Sequence, residues 1–218
     1  MDDVTSMIKK EVLQENTDIR DRFMKHFQDD VTTSIENIAK AYHKWQEFDS
    51  EVGEHEQKAT VSALLFYVIN AQINSLRLLL TGYLVASGNL MRHAIEALPM
   101  AILCSNGNHT YFQKFIHNKF SVNKALDRLS KNSTKFRVHR TAVEKFKRGR
   151  KFYDQYSHPT RLSVVSVISL TKKGELYVGP SFDEGKLDAY KKEFKTRSNF
   201  TENLVNAIDG ITENAKWI

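Results

Sequence analysis

One cysteine, three prolines and nine glycines are spread over 218 residues. The lone Cys104 has no partner for an internal disulfide, so nothing calls for an oxidising compartment. It directly follows the apolar run 98–103 and reads as a small buried side chain. With so little proline and glycine there is no flexible linker, and residues 1–218 read as a single domain. A chain of this length buries a sizeable core without staples. A glycine-rich phosphate loop, a G-x-S-x-G elbow, H-E-x-x-H and C-x-x-C are all missing. Their absence argues against common nucleotide-binding enzymes, α/β-hydrolases and zinc proteases. The eight histidines lack ligand spacing, and His93 with Glu96 has no second such pair. No metal and no cofactor are therefore expected. The opening residues are charged and polar, which predicts no secretory leader and a cytoplasmic protein. The most apolar stretch, 59–91, is interrupted by Asn70, Gln72, Asn74 and Arg77. An arginine near a bilayer centre costs about 2.5–3.5 kcal/mol even on the lenient scale, so a core helix is expected and no membrane partner.

What the chain does have is helical periodicity. Ile19, Phe23, Phe27, Val31, Ile35, Ile38, Tyr42 and Trp45 recur at steps of three or four. They predict a helix over 17–48, about 48 Å long at roughly 1.5 Å per residue. A short amphipathic segment precedes it at 4–13. A helix apolar on most sides should cover 56–87, with Ser87-Gly88-Asn89 as the turn that ends it. The next helix, 89–105, contains Pro99 and should kink there. Shorter helices follow at 110–118, 121–130 and 139–156. Asp183 is a good N-cap for a last helix whose seam runs Leu187, Tyr190, Phe194, Arg197, Thr201, Leu204, Ile208, Ile211 and Ala215. The fold class is thus all-α: a bundle with long first and last helices. Residues 163–178 leave room for a small β-hairpin, and 163–170 fits either a strand or a short helix after Pro159. The apolar stripe of the first long helix needs cover, which predicts a homodimer unless the two long helices cover each other.

The net charge of +6 is unevenly placed. Residues 131–161 hold ten Lys and Arg against Glu144 and Asp154, so that stretch carries +8 and the remainder −2. Such a concentration points to RNA or another polyanion, with Lys147, Arg148 and Lys151 as phosphate contacts. Two polar groupings lie inside the apolar helices. Asn70, Asn74, Arg77 and Thr81 share one stripe, and Arg92 and Glu96 are four apart on the following helix. Across a turn at Gly88 these could converge into a polar pocket. Equally, they could form a structural network that fixes helix register. A third grouping is Tyr153, Tyr156 and His158 near a helix end. There an imidazole can move protons at neutral pH, or simply cap exposed carbonyls.

The segment GNLMRHAIEALPMAILC, followed by FYDQYSHPTRLSV, resembles helical bacterial proteins of the broader HEPN-like class. The likeness covers about the middle third of the chain and rests on Arg92, Glu96, Tyr153, Ser157 and His158. HEPN ribonucleases use an arginine followed four to six residues later by histidine; here the nearest arginine upstream of His158 is Arg150, eight residues away. The resemblance implies an RNA-associated protein, in its active form a metal-independent ribonuclease of stress or phage defence. Arg92, Glu96 and His158 would be its catalytic group, and Asn74, Arg77, Tyr153 and Tyr156 would line the substrate site. The alternative is a non-catalytic interaction or dimerisation module whose polar network is structural.

Overall fold

The computed structural model describes residues 2–218, with side chains from residue 3 onward. Among the described residues the chain is helical, in the order α1 (Asp2–Leu13), α2 (Thr17–Ser50), α3 (Glu56–Leu80), α4 (Leu84–Cys104), α5 (His109–Ile116), α6 (Val122–Lys131), α7 (Arg140–Asp154), α8 (Arg161–Ser166) and α9 (Leu187–Ala215). The most apolar of the long helices, α4, is the hub: it packs against α3, α5, α6, α7 and α9. α3 has the length and apolarity of a membrane span, and it buries Val61, Leu65, Val68, Ile69, Leu76 and Leu79.

The two long helices, α2 and α9, lie against each other. Of the α2 stripe, Phe23, Phe27, Val31 and Ile38 are buried within the chain, whereas Ile35 stays exposed. Phe27 stacks on Phe194 with ring centroids 4.9 Å apart, and Phe23 meets Phe182 and Tyr190 edge-on at 4.7 and 4.9 Å. Such aromatic pairs add about 0.5–1.5 kcal/mol each beyond area burial. The helix departs from helical dihedrals at Phe27 (φ −135°, ψ 23°), inside this cluster.

The turn between α3 and α4 falls six residues before the expected one. Leu80 ends α3, and the amides of Gly82 and Tyr83 bond back to the carbonyls of Leu79 and Leu78 in a Schellman cap. Gly82 takes φ +84°, and a Cβ there would lie 2.7 Å from the Ser181 nitrogen. Ser87-Gly88-Asn89 is not a turn but part of α4. Gly88 serves contact instead: a Cβ would sit 2.5 Å from Cγ of Tyr156. Pro99 lies within α4, which continues through it to Cys104.

Residues 163–178 form no hairpin. Thr160 and Ser163 make a reciprocal capping box that starts α8. Beyond it, one isolated antiparallel bridge joins Ile168 and Leu176 around the turn at Gly174. The β-branched residues that suggested a strand gain more from the cap than from a two-stranded ribbon with no sheet to join. Asp183 closes this loop. Its carboxylate accepts from the amides of Leu170 (2.6 Å) and Gly185 (2.8 Å), opening a 3₁₀ turn that leads into α9.

Burial of Asp183 opposes its charge, but the two amides, with nearby Lys186, outweigh that and hold its pKa below the ordinary carboxylate value. The stability it contributes is therefore complete above the unfolded pKa of about 3.9 and is lost as pH falls through the lower folded value. Asp183→Ala strands both amides and should cost about 1–3 kcal/mol in urea unfolding at pH 7. The difference from wild type should shrink in acid. A variant as stable as wild type at pH 7 would mean the loop does not depend on this carboxylate.

Candidate functional site

α4 and α7 run antiparallel and are joined by a polar ladder. At one rung Ser157 Oγ donates to Asn89 Oδ1 at 2.8 Å. At the next, Arg92 Nη1 lies 3.2 Å from Asp154. At the third, Glu96 Oε1 accepts from Arg92 Nε at 3.0 Å and from Arg150 Nε at 2.9 Å. Arg150 also reaches Asn123 of α6. The Arg92, Glu96 and Arg150 side chains are 21–25% exposed, so water reaches the ladder from one side. Arg92 and Glu96 thus meet, as their spacing required, and bring in Arg150, Asp154 and Asn123, which sequence reasoning had left out. The two arginines face two carboxylates, which leaves the ladder little net charge.

The other expected members lie elsewhere. The Asn74 amide donates to the side chain of Asn70 at 3.0 Å. Arg77 lines an apolar groove between α2 and α3 with Ile35, Tyr42 and Ile73. Neither faces Arg92 or Glu96: the inward face of α3 carries Gln72 and Ser75, and Arg77 is exposed. Tyr153 and Tyr156 are turned into the core, 0% and 5% exposed. His158 is exposed, one residue from the Asn89–Ser157 contact.

A second polar group is sealed in the core. Glu193 and Arg197 of α9, 1% and 2% exposed at the side chain, pair at 2.8 Å. Arg197 also donates to Ser75 Oγ (2.6 Å) and Ser87 Oγ (2.7 Å), tying α9 to α3 and α4. Tyr156 donates to Glu193 at 3.3 Å. Among the described residues, the Tyr153 hydroxyl and Arg197 Nε have no hydrogen-bond partner. Burial first, and Glu193 second, push the phenols of Tyr153 and Tyr156 well above their ordinary range, so both stay protonated. This group holds three helices in register. The i, i+4 pair Glu193 and Arg197 was visible in the sequence, but the two serines were too small and common to single out.

The cations of the basic stretch separate into three settings. Arg137, Lys147 and Arg150 are paired with Glu213, with Asp127 and Glu144, and with Glu96. Lys147 and Lys151 face α6, whereas Arg148 lines a cleft toward α9, so the three expected phosphate contacts do not share one face. Lys131 joins Lys114, Lys119, Lys124 and Arg128 around a concavity of about 460 Å³. Tyr111 and Phe120 lie within it, ring centroids 5.8 Å apart, and Asp127 is its one acid. Among the described residues none of these five cations forms an ion pair, unlike the arginines of the ladder. The charge count taken from 131 onward had missed four of them; begun at 109 it would have included them.

Among the described residues, no three or more His, Cys, Asp or Glu side chains are grouped to hold a metal ion. Compared with known proteins, the chain matches no family model, no curated protein and no solved structure.

Proposed function

We propose that this protein binds single-stranded RNA through the concavity between α5 and α6. One observation carries the reading: five unpaired cations surround two half-buried aromatic rings. Cations that track a phosphate backbone, with rings on which bases stack, are the combination used for single strands without sequence preference. A satisfied solvated surface would mix in acids, as α7 does with Glu144 and Asp154. The concavity is complete on one copy of the chain, so binding needs no second subunit.

Metal-independent cleavage, which the HEPN-like resemblance implies, would need a free cation beside His158. Arg92, the cation of the group the resemblance implies, has Glu96 and Asp154 as partners. Its charge is spent on the ladder, and this favours binding without cleavage.

Neutralising about five phosphates on a single strand should give a log Kd that rises with log salt at a slope of about 3.5. Lys119→Glu with Lys124→Glu and Arg128→Glu should weaken binding tenfold or more at low salt, since each cation contributes about one charge-assisted contact. All three side chains are exposed, so helicity should not change. Binding that ignores salt, or no binding at low salt, overturns the proposal. RNA incubated with the protein in a chelator should be recovered intact; fragmentation lost in His158→Ala would move the conclusion to cleavage.

A further inference from the structure

A different cavity, of about 470 Å³, opens where α4, α7 and α9 meet. Its size suits a small molecule, within the roughly 300–1,000 Å³ typical of ligand pockets. We infer that it is a binding site for a nucleoside monophosphate, with the base on the aromatic floor and the phosphate at the cationic mouth. This inference uses none of the residues on which RNA binding was argued.

The mouth carries Lys145 and Arg148 from α7 and Lys192 from α9, all exposed. No carboxylate lines the cavity, and among the described residues none of the three cations forms an ion pair. Glu144, the acid next in sequence to Lys145, is engaged by Lys147 instead. Three converging, uncompensated cations in a cleft favour a compact anion, and a phosphate is the anion that three donors can share.

The floor is apolar. Ile95, Phe146, Phe152 and Phe200 form it, with Phe146 and Phe200 edge to face at 5.9 Å. Gly149 gives it depth, since a Cβ there would already stand 3.2 Å from Ile95 Cδ1. Lys192 Nζ stands 5.2 Å from the Phe152 centroid, which ties the cationic mouth to the aromatic floor. A bare phosphate would leave this floor unused.

The wall then selects between apolar bodies. Thr196, Asn199 and Asn203 project from α9 at successive turns. The Thr196 hydroxyl donates to the Lys192 carbonyl and the Asn203 amide to the Asn199 carbonyl, which leaves the Asn199 amide, the second Asn203 amide hydrogen and the side-chain oxygens to meet the edge of a nucleobase. A fatty-acid chain would desolvate them without return.

Calorimetric titration of the full chain with AMP, GMP, CMP and UMP tests the site. Adenosine, inorganic phosphate and decanoate serve as comparison probes. At least one nucleotide should bind about tenfold or more tightly than adenosine and than phosphate, since each lacks half of the recognised chemistry. Arg148→Glu with Lys192→Glu should weaken that nucleotide by a similar factor and leave the melting temperature unchanged, because both side chains are exposed. Asn199→Leu with Asn203→Leu should change the preference among the four bases. No nucleotide binding, nucleotide binding no tighter than phosphate, or tighter binding of decanoate would each overturn the assignment. RNA binding that survives Arg148→Glu and Lys192→Glu but not the Lys119, Lys124 and Arg128 reversals keeps the two sites distinct.

Discussion

Glu193→Ala is expected to lower the free energy of unfolding by about 3–5 kcal/mol, enough to threaten the fold of a domain with ordinary stability. Glu193 and Arg197 are sealed from water, and among the described residues the carboxylate is the one acid paired with that guanidinium. Without it the arginine keeps two serine hydroxyls, which are neutral, and already has an unpartnered Nε. The Tyr156 hydroxyl would lose its acceptor as well. Replacing the pair together, as Glu193→Leu with Arg197→Met, should recover most of the loss. The serines can tolerate this, because Ser75 and Ser87 each donate to the other's carbonyl oxygen at 2.6 Å. Glu96→Ala, in the partly exposed ladder, should cost less than Glu193→Ala, since water can reach the stranded arginines. Urea unfolding of the four proteins checks the order. A Glu193→Ala chain within about 1 kcal/mol of wild type would mean that water enters the core at this point.

Gly88→Leu should cost about 3 kcal/mol, the upper end of the range for overpacking a core. A side chain at this position grows directly into the ring of Tyr156, which is buried and tied by its hydroxyl to Glu193. Tyr153 lies behind it, ring centroids 5.9 Å apart, so the ring has nowhere to go. Gly149→Ala provides the contrast. It too is a glycine inside a helix, but its Cβ would meet only the terminal methyl of Ile95 at 3.2 Å. There the helix-propensity gain of about 1 kcal/mol from glycine to alanine should prevail. Thermal unfolding of both variants should therefore move in opposite directions. Equal shifts would show that the Gly88–Tyr156 contact is slack.

Gly82 and Gly88 also explain where the sequence could be read and where it could not. Long apolar stripes are a repeated signal, so α2 and the seam of α9 were legible from periodicity, whereas Asp183 caps the 3₁₀ turn ahead of α9 rather than α9 itself. A glycine is a single letter with two uses. Gly82 supplies a left-handed turn and Gly88 a place for a ring, and local sequence does not separate them. The polar stripe of Asn70, Asn74, Arg77 and Thr81 lies toward the outer side of α3, whose inward face carries Gln72 and Ser75 instead. The candidate site suffered from the same cause. Arg92 and Glu96 were legible because both partners lie on one helix, whereas Arg150, Asp154 and Asn123 come from other helices. Lys114, Lys119, Lys124 and Arg128 are spaced too loosely to register as a charge run, and only the packing of α5 against α4 and of α6 against α4 gathers them.

Cys104 supplies a final consequence. It ends α4 within the core, its carbonyl held by the Gln57 amide at 2.7 Å, and burial pushes its thiol up to about 12. At neutral pH the folded chain therefore offers alkylating reagents almost no thiolate and no path to it. The chain has no other sulfhydryl to confuse the signal. The rate at which a maleimide or iodoacetamide marks the native protein thus times how often the hub helix comes free, with no label engineered in.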